Sequence, residues 1–439
     1  MGEIMKIKIF FLLLSVTFQA FTANLSDYVP YEYKVLFTNP ECKLYEYEAP
    51  VYSNDGTLLR AKPKNVYCKK SDFELNSNKE KSPHFQIKKL IADPEVKSLF
   101  LAFLSFSNEE VAHEICGAIQ RNVAVTFVID SKSEKRPSSR KWLDFISECR
   151  PQKLGAGESY NKPVTLFRGN KDGIGYAHNK VIIAKYDDPN KVKLVYGSGN
   201  MSSGTILHHE NWHFVTTSTK TFLSQSHACL EKAIIEAGNS RRKYKKNFSS
   251  CRENISTPEE DDIKMMVVPT DGEVAMHNLT GNFLGAKQVR VAAHRFTHPE
   301  LVEAMVEAQK RGTRVQFVAD DDIYWTGVRK KRTGSNMYME FINTMKVIRA
   351  GVETRYMQSN QNHRLLHHNK FIVYTMEDGE GAVHTGAGNF TKAAFIKNME
   401  NYYFITIPEV VEAFKKQFDH MFGELATTYE KMPATYTMP

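Results

Sequence analysis

Long hydrophobic runs are scarce in this 439-residue chain. Beyond a short stretch near the N-terminus, no segment approaches the eighteen apolar residues of a membrane span, which excludes a polytopic membrane protein. Cysteine is sparse and one-sided: Cys42, Cys68, Cys116, Cys149, Cys229 and Cys251 are all six, and none follows position 251. With no CxxC and no clustered spacing, a structural zinc site is excluded. The basic excess is small, a formal +8. Such a balance suits polyanionic partners, nucleic acid or an anionic lipid surface, without choosing between them.

Residues 1–23 read as a secretory signal peptide, with Lys6 and Lys8 ahead of the apolar run Ile9–Ala23. Its removal takes away Lys6, Lys8 and Glu3 and leaves about +7. Export makes the cysteines readable as disulfides. Sequential pairing, 42–68, 116–149 and 229–251, is the simplest of the fifteen connectivities that six cysteines allow.

What is present is a duplication. His178-Asn179-Lys180 recurs as His368-Asn369-Lys370, and Glu210-Asn211 recurs as Glu400-Asn401 at the same offset in the numbering. So does Phe127-Val128-Ile129-Asp130, as Phe317-Val318-Ala319-Asp320. A duplicated half that carries one His and one Lys suggests a site assembled from both copies. Residues 24–84 have no counterpart and read as a disulfide-stapled extension. Residues 85–255 and 256–439 form the two lobes, with the acidic stretch Glu259-Glu260-Asp261-Asp262 between them.

Each half alternates strands with helices, which predicts an α/β fold with a mostly parallel sheet per lobe. Leu99–Phe106 and Val123–Ile129 are expected strands in the first half, Val289–Phe296 and Val315–Ala319 in the second. The intervening helices present Val111, Ile115 and Ile119, then Leu301, Met305 and Ala308. Ser107 with Glu110, and Thr297 with Glu300, have capping-box spacing. After the second strand both halves insert a basic loop, where the ligand crevice of open α/β sheets tends to lie. The first holds Lys132, Lys135, Arg136, Arg140 and Lys141. The second holds Arg329, Lys330, Lys331 and Arg332, beside Tyr324 and Trp325.

Each His-Asn-Lys opens a short apolar strand, and residues two apart along a strand face one side, so His178 and Lys180 face together, as do His368 and Lys370. A second strand ends in a glycine turn, Gly197-Ser198-Gly199-Asn200 and Gly386-Ala387-Gly388-Asn389. Glycine lets the backbone approach a ligand, and asparagine adds an amide donor. Glu210 follows His178, and Glu400 follows His368, at one and the same spacing.

This doubled grammar resembles the phospholipase D superfamily, whose signature is His-x-Lys followed by Gly-(Ser or Gly)-x-Asn in each of two halves. The resemblance runs from residue 85 to the C-terminus, and the Asn398-Met399-Glu400-Asn401 ending is similar to the branch of bacterial nucleases and cardiolipin hydrolases. One feature departs. The superfamily places an aspartate five residues after each lysine, where this chain has Lys185 and Thr375.

The resemblance implies phosphodiester hydrolysis through a phosphohistidine. One imidazole attacks phosphorus and the other protonates the leaving oxygen, with His178 favoured as nucleophile and His368 as acid. Lys180, Lys370, Asn200 and Asn389 stabilise the phosphoryl oxygens, and Glu210 and Glu400 orient the rings. Two lysines supply the positive charge, so neither metal nor cofactor is expected, and no stable protein partner is implied. Ser198, Gly199, Gly388, Arg136, Arg140, Tyr324, Trp325, Arg329 and Lys330 are candidate substrate contacts. The basic loops favour nucleic acid. Phospholipid head groups and a catalytically inactive polyanion-binding protein are the competing readings. Sequons fall on Asn200 and Asn389 themselves, where a glycan would block the cleft, so a bacterial periplasm or exterior is the expected location.

Overall fold

The computed structural model describes residues 31–40, 51–52, 54, 58–60, 70–154, 159–259, 261–324, 336–357, 359 and 366–432. Residues 1–23, Cys42, Cys68, Trp325, Arg329 and Lys330 lie outside the described residues. Strand β1 (Glu32–Phe37) opens the described chain, and β2 (Val51–Tyr52) pairs antiparallel with β3 (Leu58–Arg60).

The first lobe contributes β4 (Val96–Phe103), β5 (Ala124–Asp130), β6 (Val164–Lys171), β7 (Ile174–Tyr176), β8 (Val181–Tyr186) and β9 (Val192–Gly197). Strands β10 (His208–His209) and β11 (Asn211–Thr217) follow. The second lobe contributes β12 (Ile263–Val268), β13 (Ala286–Ala293), β14 (Arg314–Asp320), β15 (Glu353–Met357) and β16 (Leu366–His367). It ends with β17 (Lys370–Met376), β18 (Gly381–Gly386), β19 (Glu400–Ile405) and β20 (Ala426–Thr428).

Each lobe has one eight-stranded sheet, ordered β1-β11-β9-β8-β4-β5-β6-β7 and β12-β19-β18-β17-β13-β14-β15-β20. The sheets are mixed, which corrects the expectation of mostly parallel ones. Within these two eight-stranded sheets, as described, only β4-β5-β6 and β13-β14-β15 pair in parallel. Parallel neighbours need a crossover connection, and the helices Glu109–Gln120, Pro137–Glu148, Pro299–Lys310 and Asn336–Arg349 supply it. The strands that follow the His-Asn-Lys motifs are joined to the next by short connections, β8 to β9 and β17 to β18, and run antiparallel; β11 and β19 lie antiparallel beside β9 and β18. β1, from the N-terminal extension, adds an antiparallel edge to β11.

The repeat is close to residue-by-residue: β13 and β14 begin and end at the motif offset from β4 and β5. Both β4 and β13 stop three residues before the ends read from the sequence. The helix starts also shift. Asn108, not Ser107, caps Glu109–Gln120, accepting from the Val111 N–H at 3.1 Å. His298, not Thr297, precedes Pro299–Lys310, where Pro299 in the first turn has no N–H to satisfy. Two of the expected disulfides are formed, Cys116–Cys149 and Cys229–Cys251.

The outer faces of the sheets have separate cores, but their inner faces share one. Within it, Tyr196 of lobe 1 stacks on Tyr403 of lobe 2 at 3.8 Å between ring centres, and His227 bonds the Tyr403 hydroxyl at 2.8 Å. Phe414 of the helix Pro408–His420 meets Phe371 of its own lobe and Phe37 of β1. Shared apolar burial holds the two lobes in one register.

Candidate active site

The two motifs meet at the seam between lobes, where short segments cross. Ala177 bridges Met399, and the parallel pair β10–β16 sets His209 against His367. The His178 N–H donates to the Met399 carbonyl at 2.9 Å, and the His368 N–H donates to the His209 carbonyl at 3.0 Å. Each histidine is thus fixed by backbone from the opposite half.

The carboxylates are exchanged between halves. Glu400 of lobe 2 takes the Nδ1 of His178 at 2.7 Å, and Glu210 of lobe 1 takes the Nδ1 of His368 at 2.8 and 3.0 Å. All four residues are buried. A carboxylate at Nδ1 fixes the proton there and leaves Nε2 as the reactive nitrogen. Lys180 donates to the His178 carbonyl at 2.9 Å, its ammonium 3.2 Å from both ring nitrogens. Lys370 repeats the carbonyl contact with His368.

Electrostatics follow from this burial. Desolvation, with the Lys180 and Lys370 ammonium groups, holds His178 below the ordinary imidazole range against the pull of Glu400. His368 is held well below it by desolvation, then Lys370 and Lys180. Burial lowers Lys180 to about 8 and pushes Lys370 well below its usual value. The cleft holds two ammonium groups against two carboxylates, and a bound anion would raise the proton affinity of every ring and amine within it.

The Asn200 and Asn389 side-chain oxygens are buried and meet no protein partner. Ser198 is a correction: it is fully buried, and its hydroxyl donates to Glu210 at 2.6 Å, so it orients the carboxylate and is not placed to touch substrate. Ala387 cannot do this in lobe 2, where the Asn398 amide donates to Glu400 at 2.9 Å instead. Gly199 and Gly388 also have a packing reason. A Cβ would lie 2.2 Å from the Trp212 ring at Gly199 and 1.9 Å from the Tyr402 hydroxyl at Gly388.

Of the basic-loop residues, Arg136 is exposed at the start of the helix Pro137–Glu148. Arg140 is exposed and pairs across the surface with Asp144 at 3.1 Å. Tyr324 is buried edge-on against Tyr356 and Tyr429, so it offers no face to a base, a further correction. The positions of the departed aspartates carry other pairs: Lys185 with Glu231 at 2.7 Å, and Thr375 with Arg290 at 3.4 Å.

Sequence reasoning assigned no role to Asp130 and Asp320, although both end a repeated strand. Asp130 accepts the N–H of Ala177 at 2.8 Å, and Asp320 accepts the N–H of His367 at 2.8 Å, one residue before each site histidine. The asparagines inside the repeated dipeptides also cross the seam: Asn211 donates to Asn369 at 3.0 Å, and Asn179 to Asn401 at 3.3 Å. Their signal was the repetition itself.

The two sides of the seam are chemically unequal. Around His178 the repeat places Leu104, Ala177, Asn398 and Met399; the equivalent positions around His368 are His294, His367, His208 and His209. The His294 ring lies 4.7 Å from that of His368, and neither of its nitrogens has a partner. Among the described residues no group of three or more metal-ligating side chains converges.

The family described as "Cardiolipin synthase, PLD-like domain" matches residues 284–422. The mitochondrial cardiolipin hydrolase of Xenopus laevis is 31% identical over 163 residues, which is 37% of this chain and 65% of that protein. The chain therefore spans a little under two thirds of that relative's length. Phosphatidylserine synthase of Haemophilus influenzae Rd KW20 is 13% identical, with a TM-score of 0.55 over 79% of this chain and 85% of that one, and shows the same two-lobed fold. Nuc, a phospholipase D family member from Salmonella typhimurium, is 25% identical over 38% of this chain and 97% of its own, with a TM-score of 0.29. In its second lobe the chain is thus similar to this phospholipase D-like family, and at two-lobe length it shares the fold of the synthase.

Proposed function

We propose that the protein is a metal-independent phosphodiesterase working through a phosphohistidine, with nucleic acid as substrate. The observation that carries the reading is the buried cluster at the seam, in which two imidazoles, each held at Nδ1 by a carboxylate from the other lobe, share one cleft with two ammonium groups. In the first step Nε2 of His178 bonds to phosphorus, the P–O bond breaks, and the departing oxygen takes the proton from Nε2 of His368. In the second, water attacks phosphorus, gives its proton back to His368, and the P–N bond breaks. Lys180 beside the His178 ring favours its unprotonated, nucleophilic form, and the bound phosphodiester anion, with Glu210 at Nδ1, offsets the burial and the ammonium groups that otherwise keep His368 from carrying the acid's proton. Lys180, Lys370, Asn200 and Asn389 offset charge on the phosphoryl oxygens.

Incubation with plasmid, single-stranded DNA and phospholipid vesicles in EDTA tests this. Cleaved nucleic acid with a base-stable, acid-labile phosphoryl-enzyme is expected, and the phosphoryl-enzyme disappears in His178→Asn. Loss of all turnover on chelation overturns metal independence, and lipid turnover with intact DNA overturns the substrate. The lipid reading has its own support in the 31% identical relative, a cardiolipin hydrolase by name. Two disulfides support export to an oxidising compartment, which we include in the proposal.

A further inference from the structure

The segment Tyr176-Ala177-His178-Asn179-Lys180 carries a residue that the reaction leaves unused. Tyr176 ends β7 and is 42% exposed, although it stands two residues from a buried site histidine. Alternation in extended chain brings Tyr176 to the same side as His178, about 7 Å along the backbone. Its main chain is fixed twice, its N–H donating to Asn398 Oδ1 at 3.0 Å and its carbonyl accepting from Met399 at 2.9 Å. The same Asn398 orients Glu400, the partner of His178. Tyr176 is therefore held in fixed relation to the reacting ring. Lys132, from the loop after β5, lies 4.6 Å above the tyrosine ring and bonds its hydroxyl at 3.3 Å.

The repeat sharpens the point. The second-lobe equivalents of Lys132 and Tyr176 are Asp322 and Leu366. Asp322 is paired with Arg295 at 2.9 Å, so that side presents an acid and an aliphatic group where this one presents a cation and an aromatic. At these two equivalent positions, a polyanion meets a cation and a stacking surface on the His178 side and neither on the other.

We propose that Tyr176 and Lys132 form a nucleotide subsite next to the scissile phosphate, Tyr176 stacking on the adjacent base and Lys132 contacting the neighbouring phosphate, so that single-stranded nucleic acid is the substrate. The inference rests on the phosphodiesterase reading above. Stacking on an aromatic is tolerant of base identity, and its removal costs roughly tenfold to a hundredfold in affinity. A duplex keeps its bases stacked on one another and cannot use the platform.

The test compares an oligothymidylate with a fully abasic oligonucleotide of the same length, by cleavage and, independently, by binding anisotropy. The wild type is expected to favour the base-bearing strand. Tyr176→Ala lowers that preference roughly tenfold or more, Tyr176→Phe preserves it, and Lys132→Ala weakens both strands alike with a shallower salt dependence. An unaltered preference in Tyr176→Ala overturns the subsite, and so does an equal loss on both strands, which marks a structural role. Cardiolipin vesicles form the remaining arm: turnover of lipid that falls in Tyr176→Ala, with oligonucleotides neither bound nor cut, assigns the surface to a membrane and overturns the proposal. If binding shows the expected preference while nothing is cleaved, the activity reading fails and the subsite stands.

Discussion

Replacing Glu210 by Gln distinguishes exchange of carboxylates between lobes from service within a lobe. The amide keeps the size of the side chain and removes the charge that lies 2.8 and 3.0 Å from Nδ1 of His368. A carboxylate favours the charged imidazole, so its loss makes His368 harder still to protonate. If His368 is the acid, kcat falls, and the alkaline limb of its pH profile, which reports the protonated acid, moves to lower pH. Loss of such an outer partner typically costs about 10- to 100-fold. Glu400→Gln acts on His178 instead, and should move the acid limb to lower pH while leaving the alkaline one in place. The assay is kcat against pH for both variants, with imidazole proton titration by NMR to assign each limb to its ring. Because Ser198 acts through Glu210, Ser198→Ala and Glu210→Gln should combine less than additively. A shift of His178 in the Glu210 variant would refute the exchanged pairing. Unmoved limbs in both variants would refute the ring-orienting role altogether.

Three further outcomes follow from the packing. Gly199→Ala or Gly388→Ala forces a methyl against the Trp212 ring or the Tyr402 hydroxyl and should destabilise by about 1–3 kcal/mol, read as a lower urea midpoint; an unchanged midpoint would show that the ring can move aside. His84, His209 and His227 are held at about 4 by burial, below their unfolded value, so the unfolded chain binds more protons between about pH 6.5 and 4 and stability falls as pH drops through that window. Introducing His209→Met and His367→Ala, the residues used at the opposite seam, should flatten that slope in urea titrations from pH 7 to 4. Opening Cys229–Cys251, which closes a loop with a sequence separation of 22, should cost about 3 kcal/mol and lower the Tm of the Cys229→Ser/Cys251→Ser pair against the parent.

Much of the site was legible because its signals are local or repeated. The His-x-Lys spacing and the glycine turn depend on strand alternation and hairpin connection, which neighbouring residues dictate. The parallel bias assigned to each sheet was wrong because an α/β alternation at the start of each half was extended to strands that hairpins connect. The roles given to Ser198 and Tyr324 failed for a different reason. Whether a hydroxyl meets a carboxylate or a ring lies edge-on to two tyrosines depends on residues far along the chain.

The sequence by itself determined that the protein is a duplication, that each copy carries one imidazole, one ammonium group and one carboxylate, and that the halves form two α/β lobes. Tertiary structure alone decided that the carboxylates are exchanged, over separations of 222 and 158 residues, and that one side of the seam is lined by histidine while the other offers Tyr176 and Lys132. A repeat records which groups recur, and both same-lobe and cross-lobe pairings satisfy that record equally. Only the shared core between the sheets, by fixing how one lobe faces the other, selects between them.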